Sequence, residues 1–133
     1  ESSFEMPEPV QPELLASGPE FEFLRFKMDD GTGFVLTGDL DSADARGILG
    51  SLDAKPQGGG LAELQLEEAE LTDGISVTLM VETVRLLLSR YARVQLVRPP
   101  QALAHSLYRV GMLGSASRLS LIEPREDEGG WAG

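Results

Sequence analysis

An α/β fold is predicted, with a mixed β-sheet of four to five strands and α-helices packed mainly on one face. Three features of the sequence point to it. The first is the run from Leu61 to Val97, where an alternating stretch, a long 3.6-period stretch and a second alternating stretch follow one another. That order is the pattern of a βαβ unit, with two parallel strands and a right-handed crossover helix. The second is the alternation itself. Ala62, Leu64 and Leu66 interleave with Glu63, Gln65 and Glu67, and Val94 and Leu96 with Arg93 and Gln95. Parallel strands covered on both faces are apolar throughout, so one face of this sheet is expected under helices and the other at least partly wet. The third is a pair of apolar runs upstream, Phe21–Met28 and Phe34–Leu40, joined by Asp29-Asp30-Gly31-Thr32-Gly33. Glycines that take positive φ make such a segment a hairpin turn.

In chain order, residues 1–20 read as an acidic, proline-rich linker. Pro7, Pro9, Pro12 and Pro19 stand among glutamates, and this composition buries no core. It is either a tether between domains or a docking motif. The hairpin follows. Asp41-Ser42-Ala43-Asp44 then offers a helix N-cap, and Ala45, Ile48, Leu49 and Leu52 recur at helical spacing up to about Leu52. Lys55–Gly60, with Pro56 and three glycines, is expected to be a mobile loop.

The third strand is expected over Leu61–Glu67, and the main helix from the Asp73 turn to about Tyr91. Val77, Met80, Val81, Val84, Leu88 and Tyr91 form the stripe expected to face the sheet. The fourth strand follows over Ala92–Val97. Pro99-Pro100 breaks the chain, and a helix from Gln101 to about Val110 buries Leu103, Leu107 and Val110 before Gly111. Arg118–Ile122 reads as a last strand, and residues 123–133 as a loose acidic tail. The core is expected to gather Leu64, Leu66, Val81, Val84, Val94, Leu96 and Leu107.

Composition limits the functions available. The chain has 133 residues, suited to one domain, and a net charge of −11. Residues 1–22 carry six acids and no base, and residues 123–133 carry four acids and Arg125. The folded middle is therefore nearly balanced. An acidic chain argues against nucleic-acid binding, which relies on Lys and Arg meeting phosphates. With no cysteine there is no disulfide framework or thiolate chemistry. No apolar run approaches a membrane span and no signal-peptide pattern is present, so a cytoplasmic protein without membrane insertion is expected. A start at Glu1 rather than Met reads as an excised or processed fragment.

Three local patterns, in this order and spacing, resemble the STAS domain, the family of anti-sigma factor antagonists and sulfate-transporter cytoplasmic domains. Thr37-Gly38-Asp39-Leu40-Asp41 resembles the family's small-Gly-acid-Leu-Asp at the end of the second strand. Leu71-Thr72-Asp73-Gly74-Ile75-Ser76 sits where the family has Asp-Ser-Ser/Thr-Gly opening its main helix. Val97-Arg98-Pro99 through Leu107 and Gly111 resembles its Val-Asn-Pro, helix and Thr-Gly-Leu ending. The likeness spans about Phe21–Ile122. It implies a STAS-like fold and a non-enzymatic interaction module. The implied partner is an anti-sigma factor, a kinase-like or an ATPase-type protein, or a second copy in a homodimer. Two alternatives are the STAS subunit of a bacterial phospholipid-transport ABC complex, and a domain that senses a nucleotide or anion.

One departure from the family bears on regulation. Switching members are phosphorylated by a kinase on the second hydroxyl of Asp-Ser-Ser/Thr-Gly. Counted without gaps, that position is Ile75, and Ser76 and Thr72 remain the nearby hydroxyls open to phosphorylation. A one-residue slip would instead place Asp73 there.

The site expected from these readings is a partner-binding surface of Asp73, Gly74, Ile75, Ser76, Leu79, Glu82 and Leu86. Ile75, Leu79 and Leu86 fall opposite the sheet-facing stripe. They are either an exposed apolar contact for a partner or core covered by the chain's own helices. Asp73 reads first as a helix cap. Asp39, Asp41 and Asp44 could gather a hard cation, but two of them are better explained by capping and dipole placement at the next helix. His105, the one histidine, falls on the polar side of its helix, so no catalytic triad is expected. Gly58-Gly59-Gly60 lacks the spacing of a phosphate loop. No cofactor or metal is expected.

Overall fold

A computed structural model describes residues 12–54, 58–114 and 117–125. Six strands form one sheet in sequential order: β1 (Glu13–Gly18), β2 (Phe21–Met28), β3 (Gly31–Leu40), β4 (Gly59–Leu71), β5 (Tyr91–Val97) and β6 (Leu119–Ile122). β1–β2 and β2–β3 pair antiparallel, and β3–β4, β4–β5 and β5–β6 pair parallel. Three helices make the crossovers: α1 (Ser42–Ala54), α2 (Gly74–Arg90) and α3 (Gln101–Arg109). The α/β class, the mixed sheet and the βαβ unit are as expected.

The strand number is not: there are six rather than four to five. The extra strand is β1, inside the segment read as a linker over 1–20. Pro12 lies outside β1 and Pro19 in the turn after it, so neither removes a ladder N–H. β2 supplies the hydrogen bonds, and an Arg25–Glu13 ion pair adds a side-chain link between the two strands. Residues 1–11 and 126–133 lie outside the described residues, as do 55–57 of the expected mobile loop. Gly59 and Gly60 belong to β4.

β4 runs four residues past the expected end at Glu67. Val35 pairs with Gln65 but Thr37 with Glu68, so three steps on β4 oppose two on β3. This bulge absorbs the consecutive Glu67 and Glu68, both exposed, and returns Ala69 to the buried face.

One core lies between the sheet and the helices. Phe23, Phe34, Leu36, Leu64, Leu66, Val94 and Leu96 meet Ala45, Ile48 and Leu52 of α1, Met80, Val84 and Leu87 of α2, and Leu103 and Leu107 of α3. All seven residues gathered in the expected core are buried, but Val110, also expected to be buried, is exposed just past the end of α3. The Phe34 ring stacks on Phe23 at 5.7 Å and meets Tyr91 edge-on at 6.5 Å.

The opposite face is the wet one. A single row crosses it through Leu14, Leu24, Val35, Gln65, Val97 and Ile122. Leu14 and Ile122, at its two ends, are exposed. Gln65 is the one polar member of this row; its Nε2 donates to Glu63 of the next row at 3.0 Å, and Glu63 also accepts from Gln95 Nε2 at 3.2 Å.

Three arginines satisfy carbonyls that secondary structure leaves over. Arg90 Nη1 donates to Leu52 O at 2.6 Å near the end of α1, and Arg118 Nη2 to Leu88 O at 2.9 Å near the end of α2. Arg125 donates to Arg98 O, Ala69 O and Glu70 Oε2. The chain is thus still held at Arg125, three residues beyond β6, where a loose tail from 123 onward was expected. Among the described residues no helix is long and apolar enough to cross a membrane.

Gly38 has φ +107°, and a Cβ there would lie 2.0 Å from Glu20 O. Both faults are in backbone, so no side chain can yield. Gly38→Ala is expected to lower stability by about 1–3 kcal/mol, read as a lower urea midpoint. A stability within about 0.5 kcal/mol of the parent's would contradict this account of Gly38.

Candidate functional site

α2 opens where the parallel strands end, at the edge where loops of an α/β sheet are free to present side chains. Thr72 anchors this corner. Its N–H and its Oγ1 both donate to Leu40 O, each at 2.9 Å, joining the start of α2 to the end of β3. Asp73 is the N-cap, in extended conformation, and its Oδ1 accepts from Ser76 N at 2.7 Å. Ser76 completes a capping box: its Oγ donates to Asp73 O at 2.7 Å and accepts from Asp73 N at 3.4 Å. Asp73 is therefore a cap.

Of the two candidate phosphoacceptors, Ser76 is fully buried and its hydroxyl is engaged. A kinase would reach it only after the first turn of α2 opened. Thr72 is exposed, with its hydroxyl held on Leu40 O.

The other expected site residues fall on one side of α2. Gly74 is exposed and open, and Ile75 is 58% exposed, a large apolar side chain at the first turn. Leu79 is half-buried. Glu82 is exposed and pairs with Arg85 at 3.5 Å. Leu86 is half-buried against the core. The expected apolar stripe is thus exposed at its N-terminal end and grades into the core towards Leu86. Ser76 alone among the expected residues turns inward.

α1 forms the second wall of this surface. A groove of about 580 Å³ runs between the helices, lined by Arg46, Leu49, Gly50 and Asp53 of α1 and by Glu82, Arg85 and Leu86 of α2. None of the α1 residues was singled out for this site from the sequence, where Leu49 read as one of the helix's four apolar positions. The usable signal was the run of small exposed residues on α1, but it gains meaning only once α1 is known to lie beside α2.

At the start of α1, Asp41 and Asp44 cap the helix reciprocally. Asp44 N donates to Asp41 Oδ1 at 2.9 Å, and Asp41 N to Asp44 Oδ2 at 3.2 Å. The Asp44 N–H bond is the main cause that holds the Asp41 carboxyl below the usual carboxylate range. Among the described residues no group of three or more His, Asp or Glu gathers that could hold a metal ion. His105 is exposed on α3. The chain matches no family model and no curated protein.

Proposed function

We propose that this chain is a non-enzymatic interaction module of the STAS type, which binds a protein through the start and outer side of α2. One thing supports the STAS reading: the three patterns that resemble the family fall at the end of β3, at the opening of α2, and at the end of β5 leading into α3. The single observation that carries the binding reading is Ile75. A side chain of that size at 58% exposure, at the first turn of α2, leaves apolar area in water that a partner would remove.

The contact is constitutive. Ile75 occupies the position at which the family's switch carries its phosphate, and Ser76 is committed to the capping box. A phosphate would bring about two negative charges; an isoleucine brings none at any time.

Ile75→Asp should weaken association by upwards of about 2 kcal/mol, as for other apolar anchors, while the circular dichroism spectrum stays that of the parent. A photoreactive amino acid at position 75 of the full-length chain, in its own cells, should cross-link to a discrete protein. One at position 102, exposed on α3, should not. Equal cross-linking from both positions, or none from 75, would overturn the assignment.

A further inference from the structure

We propose that the groove between α1 and α2 is where two copies of this chain meet in a two-fold dimer, the α1 of each seated on the α2 of the other. This rests on the binding-module reading and names its partner. α1 and α2 run in the same direction, because each returns the chain from the end of one parallel strand to the start of the next. They also start level, since Leu40 pairs with Leu71 and the helices begin at Ser42 and Gly74. Each α1 residue therefore stands at the height of the α2 residue whose number is larger by 74 − 42 = 32.

By that count Gly47 and Gly50 stand level with Leu79 and Glu82, and Ala43 and Ala54 with Ile75 and Leu86. Both sets step by four, three and four residues, so each makes a straight stripe along its helix. A two-fold axis parallel to the helices lays the α1 stripe of one copy over the α2 stripe of the second at equal height. Large side chains then meet small ones: Ile75 meets the second copy's Ala43, and Leu79 its Gly47. A Cβ at Gly47 or Gly50 would meet nothing within the chain itself, so the space is open to an incoming side chain.

The charges complement each other under the same operation. Asp53, which also pairs with Arg90 of its own chain at 3.4 Å, comes level with the second copy's Arg85. Arg46, which has no hydrogen-bond or ion-pair partner among the described residues, reaches the second copy's Glu82 about one turn further on. The groove thus carries two cations and two anions on a chain of net charge −11. The formal charge of the groove therefore sums to zero, so two copies meet there without net repulsion.

Sedimentation velocity on the full chain, from about 1 to 300 μM in about 0.15 M salt, should show a reversible monomer–dimer equilibrium. Gly47→Leu fills the slot and should raise the dimer Kd at least about tenfold, with an unchanged circular dichroism spectrum because leucine favours the helix. Asp53→Arg and Arg85→Asp should each raise Kd about tenfold, and the double reversal should return it to within about threefold of the parent. A parent chain that stays monomeric throughout overturns the dimer. So does a dimer indifferent to Gly47→Leu, or single reversals whose effects add without rescue. In any of these cases, cross-linking from position 75 to an unlike chain leaves the binding-module reading standing, so the two failures are distinguishable.

Discussion

Phe34→Ala is expected to lower the free energy of unfolding by about 3–5 kcal/mol. Phe34 is wholly buried at the centre of the sheet, facing the helices, where it pairs with Leu64 on β4. Its ring fills the space between Phe23, on which it stacks, and Tyr91, which it meets edge-on. Removing the ring loses its burial from water and leaves a void that a β-sheet on one side and helices on the other cannot close. Domains of this size are stable by only about 5–15 kcal/mol, so the variant should unfold at much lower urea with an unchanged slope. A loss under about 1 kcal/mol, the range of surface changes, would mean that β3 does not present Phe34 to the core. Leu96→Ala, in register with Leu64 on one side and Leu121 on the other, should lose about 2–5 kcal/mol by the same mechanism.

Ser76→Asp is expected to cost more than about 3 kcal/mol, the range for an uncompensated buried charge. Ser76 is fully enclosed, and its hydroxyl donates to Asp73 O beside the Asp73 carboxylate. A carboxylate there has no proton to donate to that carbonyl and faces a second negative charge. Thr72→Asp, at an exposed position, loses only the bond to Leu40 O and should cost about 1 kcal/mol. Thermal and urea unfolding of the two variants separates these outcomes. A Ser76→Asp chain within about 1 kcal/mol of the parent would show that the first turn of α2 opens readily, and would restore Ser76 as a phosphoacceptor.

The contrast between these serine and threonine positions shows what lies beyond a sequence pattern. Thr72 and Ser76 flank the same helix start, and residue type makes them equivalent acceptors. Only the capping box, which turns Ser76 inward against Asp73, distinguishes them. Ile75 presents the same problem. Helical periodicity places Ile75, Leu79 and Leu86 on one side of α2, but whether that side is covered depends on where α1 sits. α1 covers the Leu86 end and leaves Ile75 open.

β1 and the last four residues of β4 were hidden for a different reason. Strand formation at an edge depends on a neighbour that supplies hydrogen bonds, and Glu13–Gly18 carries little signal of its own between two prolines and among acids. In β4 the bulge shifts the alternation by one residue at Glu67-Glu68, so a period-two reading stops where the strand in fact continues.

Taken alone, then, the sequence determined the α/β class, the βαβ unit, the hairpin before it and the seven core positions, because hydrophobic periodicity is a local property of the chain. It also determined Asp73 as a cap, since Asp before a helical run has one dominant local use. Tertiary structure alone decided the sixth strand, the burial of Ser76 and the second wall of the groove. Each of these depends on elements far apart in the chain: Leu40 against Leu71, Glu13 against Arg25, and α1 against α2. Periodicity says which face of an element is apolar. The register between elements says what that face meets.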